Sequence, residues 1–464
     1  MKESAVRLSA AVGAGRLAAT LARTLRLGGG TTMPGRVARF VEPAITARLA
    51  ARLPHGSVVV TGTNGKTTTS RLISHIFGQA ALVAVHNRAG ANLAAGIAAA
   101  LVQHADARGR MQGDLGVFEV DEAALSVVQP SLRPRELVLT NLFRDQLDRY
   151  GEIDLIAARW RSALRGADAS LTVIFNADDP LVAEVGGTHP GPRVPFGIDD
   201  DTCGLGTLEH AADARYCYRC GIPYEYRTIY FGHMGIYRCP RCGTARPAPV
   251  VRATGVVQRG IDGTTFEMES PWGTARVRTS LPGVYNIHNI LAAAACTLQR
   301  GIPVEVVVRG IASFAPAFGR AERVRVDGSE AILLLAKNPA GFNEVLRTML
   351  RADGEPVALI AINDLTADGR DVSWLWDVDF EMLAGRVRHI VVSGIRAEDM
   401  ALRLKYAGVD AAALEVHKGL ASAFDAARAS SGDGPLYVLP TYTAMLQLRA
   451  ALQRRGVVRD FWDE

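Results

Sequence analysis

Residues Thr61-Gly62-Thr63-Asn64-Gly65-Lys66-Thr67-Thr68-Thr69 follow an apolar, β-branched run, Ser57-Val58-Val59-Val60, and precede a helical pattern that starts at Ser70. A strand, a glycine loop and a helix N-terminus in that order leave few folds open. Backbone N–H groups and the positive end of a helix dipole converge on the loop, an arrangement suited to phosphate oxygens. In a loop of this kind Gly62, Thr63, Asn64, Gly65 and Thr68 wrap a nucleotide, Lys66 reaches the β/γ-phosphates and the Thr67 hydroxyl ligates Mg²⁺. The spacing departs from the common P-loop, because Val60 stands where the first glycine usually lies.

The remaining chain is read around that loop. At 464 residues it is too long for one ordinary domain. Strand-like runs at 58–61, 115–120, 136–140 and 171–176 alternate with helical stretches, which predicts a doubly wound α/β unit with ligands at the carboxyl ends of its strands. β-like segments at 256–259, 264–269 and 275–279 and a helix over 286–300 come next. A second, Rossmann-like α/β unit follows, with strands at 331–335, 357–362, 389–393 and 436–440 and a surface turn at 430–434. The expected partition is a basic helical segment over 1–54, a central nucleotide-binding domain over 55–318 and a C-terminal domain over 319–464.

Four of the six cysteines form two pairs, Cys217-x-x-Cys220 and Cys239-x-x-Cys242, separated by a length inside the window of structural zinc ribbons. Four thiolates close a tetrahedron with no open position, so the metal is expected to fold an insert at about 203–247 and not to do chemistry. The insert's interior is expected to hold Tyr218, Tyr224, Tyr226, Tyr230 and Tyr237. Cys203 and Cys296 are left as unpaired thiols.

The first fifty residues carry Lys2, Arg7, Arg16, Arg23, Arg26, Arg36, Arg39 and Arg48 against only Glu3 and Glu42, with a glycine loop at 28–32. An ordinary helix with a solvated basic face, a transit-type segment and an amphipathic helix on anionic lipid all fit this composition. No apolar run is long enough to span a bilayer, and the first fifty residues lack the apolar core and small-residue cleavage site of a secretory signal, so a cytoplasmic protein is expected, peripheral at most to the inner membrane face.

Three polar clusters close strand ends. Glu119, followed by Asp121 and Glu122, is placed to hold Mg²⁺. The run from Thr140 to Gly151 offers side chains to nucleotide, metal and substrate, and Asn176-Ala177-Asp178-Asp179-Pro180 closes a further strand. Each could also be a plain helix cap.

Together with the P-loop, the Asn87…Gly90-Ala91-Asn92 stretch and Gly283…Asn286…Asn289, these clusters resemble the Mur ligases. That family activates a carboxylate with ATP as an acyl phosphate and captures it with an amine. Three departures point to a branch. Gln146 and Tyr285 stand where histidines are usual, a Cys₄ ribbon is present, and the C-terminal motif reads Leu335-Ala336-Lys337-Asn338-Pro339-Ala340-Gly341. With the block Asp368-Gly369-Arg370-Asp371-Val372-Ser373-Trp374-Leu375-Trp376-Asp377, they look like the MurT branch, ligase-like subunits that work with a GatD-like glutaminase.

The resemblance implies ATP, Mg²⁺ and a structural Zn²⁺ as cofactors. It implies amidation of the α-carboxylate of D-glutamate in the stem peptide of lipid II, with Lys66 and Glu119 at the chemistry. It also implies adenine contacts from Asn286 and Asn289, and a nucleotide contact from Arg320 with Glu322, which could instead form a hinge salt bridge. One C-terminal aspartate among Asp364, Asp368, Asp371 and Asp377 would orient the partner's catalytic histidine, and Asp371 is favoured. Trp374 and Trp376 could anchor an interface or join the core. An amino-acid-adding ligase related to folylpolyglutamate synthase is disfavoured by the altered histidines and the ribbon. A nucleic-acid-binding switch, suggested by ribbon arginines such as Arg219 and Arg241 among aromatics, is disfavoured by the intact Lys66, Thr67 and Glu119.

Overall fold

The computed structural model describes residues 2–24, 32–87, 91–144, 153–210, 212–315, 320–326, 328–352 and 354–457. Most of the 28–32 loop, Gly90, the 145–151 run with Gln146, residues 316–319 and the Arg320 side chain lie outside them.

Strands β1 (Ser57–Thr61), β2 (Ala84–His86), β3 (Leu115–Glu119), β4 (Glu136–Leu139), β5 (Thr172–Asn176) and β6 (Arg193–Ile198) run parallel. A separate hairpin, β7 (Glu225–Phe231) and β8 (Met234–Arg238), interrupts the sheet before β9 (Val251–Gln258), β10 (Thr264–Ser270) and β11 (Gly273–Thr279) complete it. The order is β11-β10-β9-β6-β5-β4-β1-β3-β2, with β9 parallel to β6 and β9–β11 antiparallel to one another.

β1 is buried along its whole length because helices cover both faces of the sheet. Alternate side chains go to opposite cores. Val58 and Val60 join Ile73 and Ile76 of the helix Lys66–Gln79 and Ile287 and Leu291 of the helix Val284–Gln299. Val59 faces the other way, toward Phe118, Leu137 and the N-terminal helices.

Those helices are α1 (Lys2–Thr24), α2 (Met33–Val41) and α3 (Ile45–Ala50), and they precede α4 (Lys66–Gln79) and α5 (Ala94–Gln103). Leu8, Val12, Ala38 and Ile45 share one hydrophobic core with Val59, Phe118 and Leu101, so the basic N-terminal segment is bound into the first sheet's packing. α2 approaches α5 so closely that a methyl group on Gly35 would run into the Ala95 carbonyl.

The second sheet comprises β12 (Arg320–Val326), β13 (Ser329–Leu334), β14 (Val357–Ala361), β15 (His389–Ser393), β16 (Leu414–Val416) and β17 (Leu436–Pro440), in the order β12-β13-β17-β14-β15-β16. Only the β12–β13 edge is antiparallel. Across the joint between the sheets, Glu209 accepts from Asn343 Nδ2 at 2.6 Å and also meets Arg347, while Arg323 pairs with Asp262 at 2.5 Å.

Four strands were not foreseen. β2 and β16 have three residues each, too few to leave a period in the sequence. Pro195 and Gly197 disguise β6, and β12 follows directly on the Phe318-Gly319 junction. The expected 256–259 segment is the tail of β9. Ser430 and Ser431, expected in a turn, instead close the helix Leu420–Ser431, and Ser431 is buried; the turn starts at Gly432.

Gly35→Ala is expected to push α2 off α5 at a cost of about 1–3 kcal/mol, read as a lower apparent melting temperature. Gly13→Ala, whose methyl meets open space on α1, should leave melting unchanged or raise it, since alanine is the better helix former.

Candidate active site

A cavity of about 470 Å³ opens at the carboxyl ends of β1 and β3. Thr63–Thr68, Glu119, Glu122, Asn286 and Asn289 line it from the first sheet's side, and Lys337, Asn338 and Glu344 from the second. The glycines of the loop are dictated by geometry. Gly65 has φ +84° and begins α4, and any side chain there would strike Asn289 Oδ1. A Cβ on Gly62 would strike Thr140 Oγ1.

The loop is braced on every side. Asn64 N donates to Asn141 Oδ1 at 2.8 Å and Asn141 Nδ2 donates back to Asn64 O at 3.0 Å. Thr140 Oγ1 donates to Asn64 O at 2.8 Å, and Phe143 N donates to Thr63 Oγ1 at 3.0 Å. The start of the Thr140–Gly151 run therefore braces the P-loop, and Asn141 also lines the cavity. Asn286 and Asn289 are both buried on the cavity wall, and Asn289 Nδ2 donates to Asn286 Oδ1 at 3.0 Å.

Lys66 Nζ lies 2.7 Å from Glu122 Oε2 and donates to the carbonyls of Gly62 and Thr63, with both side chains of the pair almost wholly buried. Trp160 Nε1 donates to Glu122 O at 2.8 Å and fixes that residue in turn. Glu122 was seen in the sequence only as a neighbour of Glu119; its position on Lys66 had no signal beyond acids crowding a strand end. Glu119 is buried on the cavity wall, its backbone held in both directions by Asn87 at 2.8 and 2.9 Å. Thr67, Glu119 and Glu122 supply hard oxygen donors in one cavity, the donor set that suits Mg²⁺.

The Asn176–Pro180 cluster is not on the cavity wall. Asp179 accepts from Leu181 N and Val182 N as the cap of the helix Pro180–Gly187, and from Leu142 N at 2.9 Å. Asp178 is fully buried between Arg246 (2.6 Å) and His288 (2.7 Å). Burial opposes its ionisation, but Arg246 and His288 outweigh burial and hold its carboxyl below the usual range. Here the helix-cap alternative and an internal ion network account for the residues.

On the facing wall Asn338 caps the helix Pro339–Leu350, accepting from Gly341 N at 2.9 Å, and its Nδ2 reaches Asn64 Oδ1 at 2.9 Å. The Lys-Asn-Pro-Ala-Gly motif is thus a helix start aimed at the P-loop. Burial raises the Glu344 carboxyl above its ordinary value. Glu322 pairs with Arg449.

Of the four aspartates, Asp364 is held by Arg396 at 2.6 Å and Asp377 lies 3.6 Å from Arg144. Asp368 is buried and accepts from Thr443 N at 2.8 Å. Asp371 is exposed and accepts from Ser373 N at 2.8 Å; that bond and a second one from the Ser373 side chain keep its carboxyl below the usual range. Trp374 packs near Phe342, while Trp376 is exposed beside Arg403 and Tyr406.

The four ribbon sulfurs lie within 4.8 Å of one another, with Cys217–Cys242 at 3.5 Å and Cys220–Cys239 at 3.4 Å. These separations are close to the edge of a zinc–thiolate tetrahedron, about 3.8 Å for bonds of about 2.3 Å. Two matched knuckles present them: Gly221 N donates to Cys217 O at 2.8 Å and Gly243 N to Cys239 O at 3.1 Å. The Thr244 hydroxyl lowers the Cys242 thiol to about 6. Tyr224, Tyr226 and Tyr237 pack beneath as expected. Tyr218 is instead exposed, and Tyr230 belongs to the main core, its hydroxyl donating to Ile198 O at 2.6 Å. Chelation or Cys239→Ser should raise hydrogen exchange across 214–246 while the amides of β1, β3 and β4 stay protected; unchanged exchange in the metal-free protein would remove the structural role.

Two family models match the chain: the Mur ligase middle domain over residues 60–216 and the MurT ligase C-terminal family over residues 335–445. Among solved structures, a pseudomurein peptide ligase type C from Methanothermus fervidus aligns with TM-score 0.67 at 19% identity, covering 88% of this chain and 80% of that one. MurF from Acinetobacter baumannii aligns with TM-score 0.65 at 17% identity, over 92% and 81%. At these identities the likeness speaks for the fold alone. The chain is 31% identical to the lipid II isoglutaminyl synthase (glutamine-hydrolyzing) subunit MurT of Staphylococcus aureus (strain COL), over 92% of this chain and 93% of that protein. It is 33% identical to the subunit of the same name from Streptococcus pneumoniae (strain ATCC BAA-255 / R6), over 94% and 95%. With a Mur ligase fold and this likeness along almost its whole length, the chain belongs to the MurT family of Mur-type ligases.

Proposed function

We propose that this ligase amidates the α-carboxylate of D-glutamate in the stem peptide of lipid II, giving D-isoglutamine for peptidoglycan synthesis. The observation that carries the reading is the cavity that sets Lys66, Thr67, Glu119 and Glu122 against Lys337 and Asn338 of the other sheet. Residues from both sides can then meet one nucleotide and one carboxylate.

A free carboxylate is a poor electrophile. In the proposed reaction its oxygen attacks the γ-phosphorus of ATP, the bond to ADP breaks and an acyl phosphate forms. Lys66 leaves Glu122 for the phosphates and offsets charge as it develops, with the P-loop amides already aimed at the site. Mg²⁺, when bound to Thr67 and Glu119, supplies further charge compensation. Ammonia then attacks the carbonyl carbon, phosphate leaves, and the amide nitrogen gives up a proton. Asn286 and Asn289 are proposed at the adenine side, with Arg320 at the nucleotide.

Ammonia has to come from elsewhere. Glutamine hydrolysis needs an activated thiolate. Burial pushes the Cys203 thiol up to about 12 and raises that of Cys296 as well, and the other four cysteines face one another in the ribbon. This supports a separate GatD-like glutaminase as partner, in line with the subunit naming of the relatives. Asp371, exposed and in no ion pair among the described residues, is the aspartate best suited to be offered to that partner's histidine.

Lys66→Ala should abolish ATP-dependent amidation in a chain that still folds, with a lowered melting temperature because Glu122 loses its buried partner; retained activity would refute the P-loop assignment. Asp371→Asn should weaken glutamine-driven amidation at least tenfold while sparing ammonium-driven amidation, on the scale of losing a group that orients a catalytic histidine. Equal losses with both nitrogen sources would remove the assignment.

A further inference from the structure

The N-terminal helices carry apolar side chains on the wrong side for a core. On α1 the buried residues Leu8, Ala11, Val12, Ala19 and Ala22 face inward at helical spacing. The opposite stripe exposes Val6 (69%), Leu17 (62%) and Leu21 (51%). α2 repeats the arrangement, with Pro34, Gly35 and Ala38 inward and Met33 (50%) and Phe40 (89%) outward. Both helices lie as one layer on α5, since Gly35 meets Ala95 and Gly15 meets Pro34 and Val102. Their outward stripes therefore open on the same side of the molecule.

Arginines frame those stripes. Arg7, Arg16, Arg36 and Arg39 are all exposed. Glu42 is buried, 2.7 Å from Arg48 and 3.9 Å from Arg7, while Arg16, Arg36 and Arg39 are in no ion pair among the described residues. Bulky apolar groups beside these three arginines complement a surface that is negative at its headgroups and apolar beneath.

The position matters as well. Gly35 sits on the first turn of α5, and Asn92 and Leu93, immediately before that turn, line the cavity. α2, which carries part of that face, thus packs through its inward side beside the segment that forms one edge of the cavity.

We propose that the outward face of α1 and α2 docks the protein on an anionic lipid bilayer, with the cavity rim beside the membrane. Its purpose rests on the lipid-linked substrate proposed above; the surface itself rests on these side chains. Insertion of Phe40, Met33 and Leu17 at headgroup depth would hold the chain where a membrane-anchored stem peptide can enter. No helix among the described residues is long and apolar enough to cross a membrane, and lying on the surface requires none.

The test is flotation of the full chain with vesicles of phosphatidylcholine alone or with phosphatidylglycerol added. The protein should float with anionic vesicles, less at high salt, and stay behind with neutral ones. Arg36→Gln and Arg39→Gln should each weaken partitioning roughly fivefold, and Phe40→Ser with Leu17→Ser should abolish it. No flotation with anionic vesicles at low salt would overturn the proposal, as would flotation that these variants leave unchanged. Self-association that the variants abolish, without flotation, would assign the face to a second copy and also overturn it. ATP- and ammonium-dependent amidation of a soluble stem peptide, assayed in parallel, should be unaffected by the variants. If that amidation is absent from every sample while flotation persists, the substrate reading fails and the docking face stands.

Discussion

A lysine buried against a glutamate at the first turn of α4 sets the terms for everything around it. Removing the Lys66 and Glu122 charges from water is expensive, and a pair at 2.7 Å repays that only when the remaining polar groups are satisfied. The surroundings are built to do so. Carbonyls of Gly62 and Thr63 take the other ammonium protons, and Trp160 pins the backbone of Glu122. The loop cannot relax, because Asn141, Thr140 and Phe143 grip it from one side and Asn289 closes over Gly65 from another. The arrangement holds the cation where a phosphate can replace the carboxylate without the loop having to reorganise, the condition under which fixed charges are most effective.

The same constraint explains why a second sheet is needed. An isolated P-loop on the first sheet would lie open to water. Asn338, by capping its helix and reaching Asn64, brings the C-terminal body onto the loop and encloses the cavity. Glu209, on the approach to the ribbon, ties Asn343 and Arg347 to the β7–β8 hairpin, where it accepts from Gly232 N. The ribbon's stem is linked inward by Arg246 to Asp178 and thence to His288, on the helix that also carries Asn289. The four-cysteine insert, the joint and the cavity wall that carries Asn289 thus form one connected piece of packing.

Much of this was legible in the sequence, for identifiable reasons. The P-loop, the long buried strands and the cysteine pairs each impose a local pattern that survives without tertiary context, and the polar clusters carried the family resemblance. What escaped were features set by packing. Three-residue strands such as β2 leave no period. Asp178 and Asp179 looked like ligands because caps, ion networks and metal sites use the same residue types at the same strand ends. That Thr140 and Asn141 also brace the P-loop was hidden because nothing in a linear sequence shows that a neighbouring loop will take up their hydrogen bonds. Glu122 became distinguishable from Asp121 only once its partner was known. Asp371 was favoured from the sequence, but the partners that occupy the other three aspartates, Arg396, Thr443 and Arg144, had no signal there.

The central claim is that this cavity turns an ATP-activated carboxylate into an amide while the nitrogen comes from a separate subunit. Mass spectrometry of lipid II tests it most directly, after incubation with this protein, Mg–ATP and ammonium, or with glutamine and a co-expressed glutaminase. The account predicts ATP-dependent conversion of acid to amide with ammonium, and use of glutamine only when the partner is present. ATP hydrolysis with no amide under either condition would contradict it and point to another carboxylate substrate.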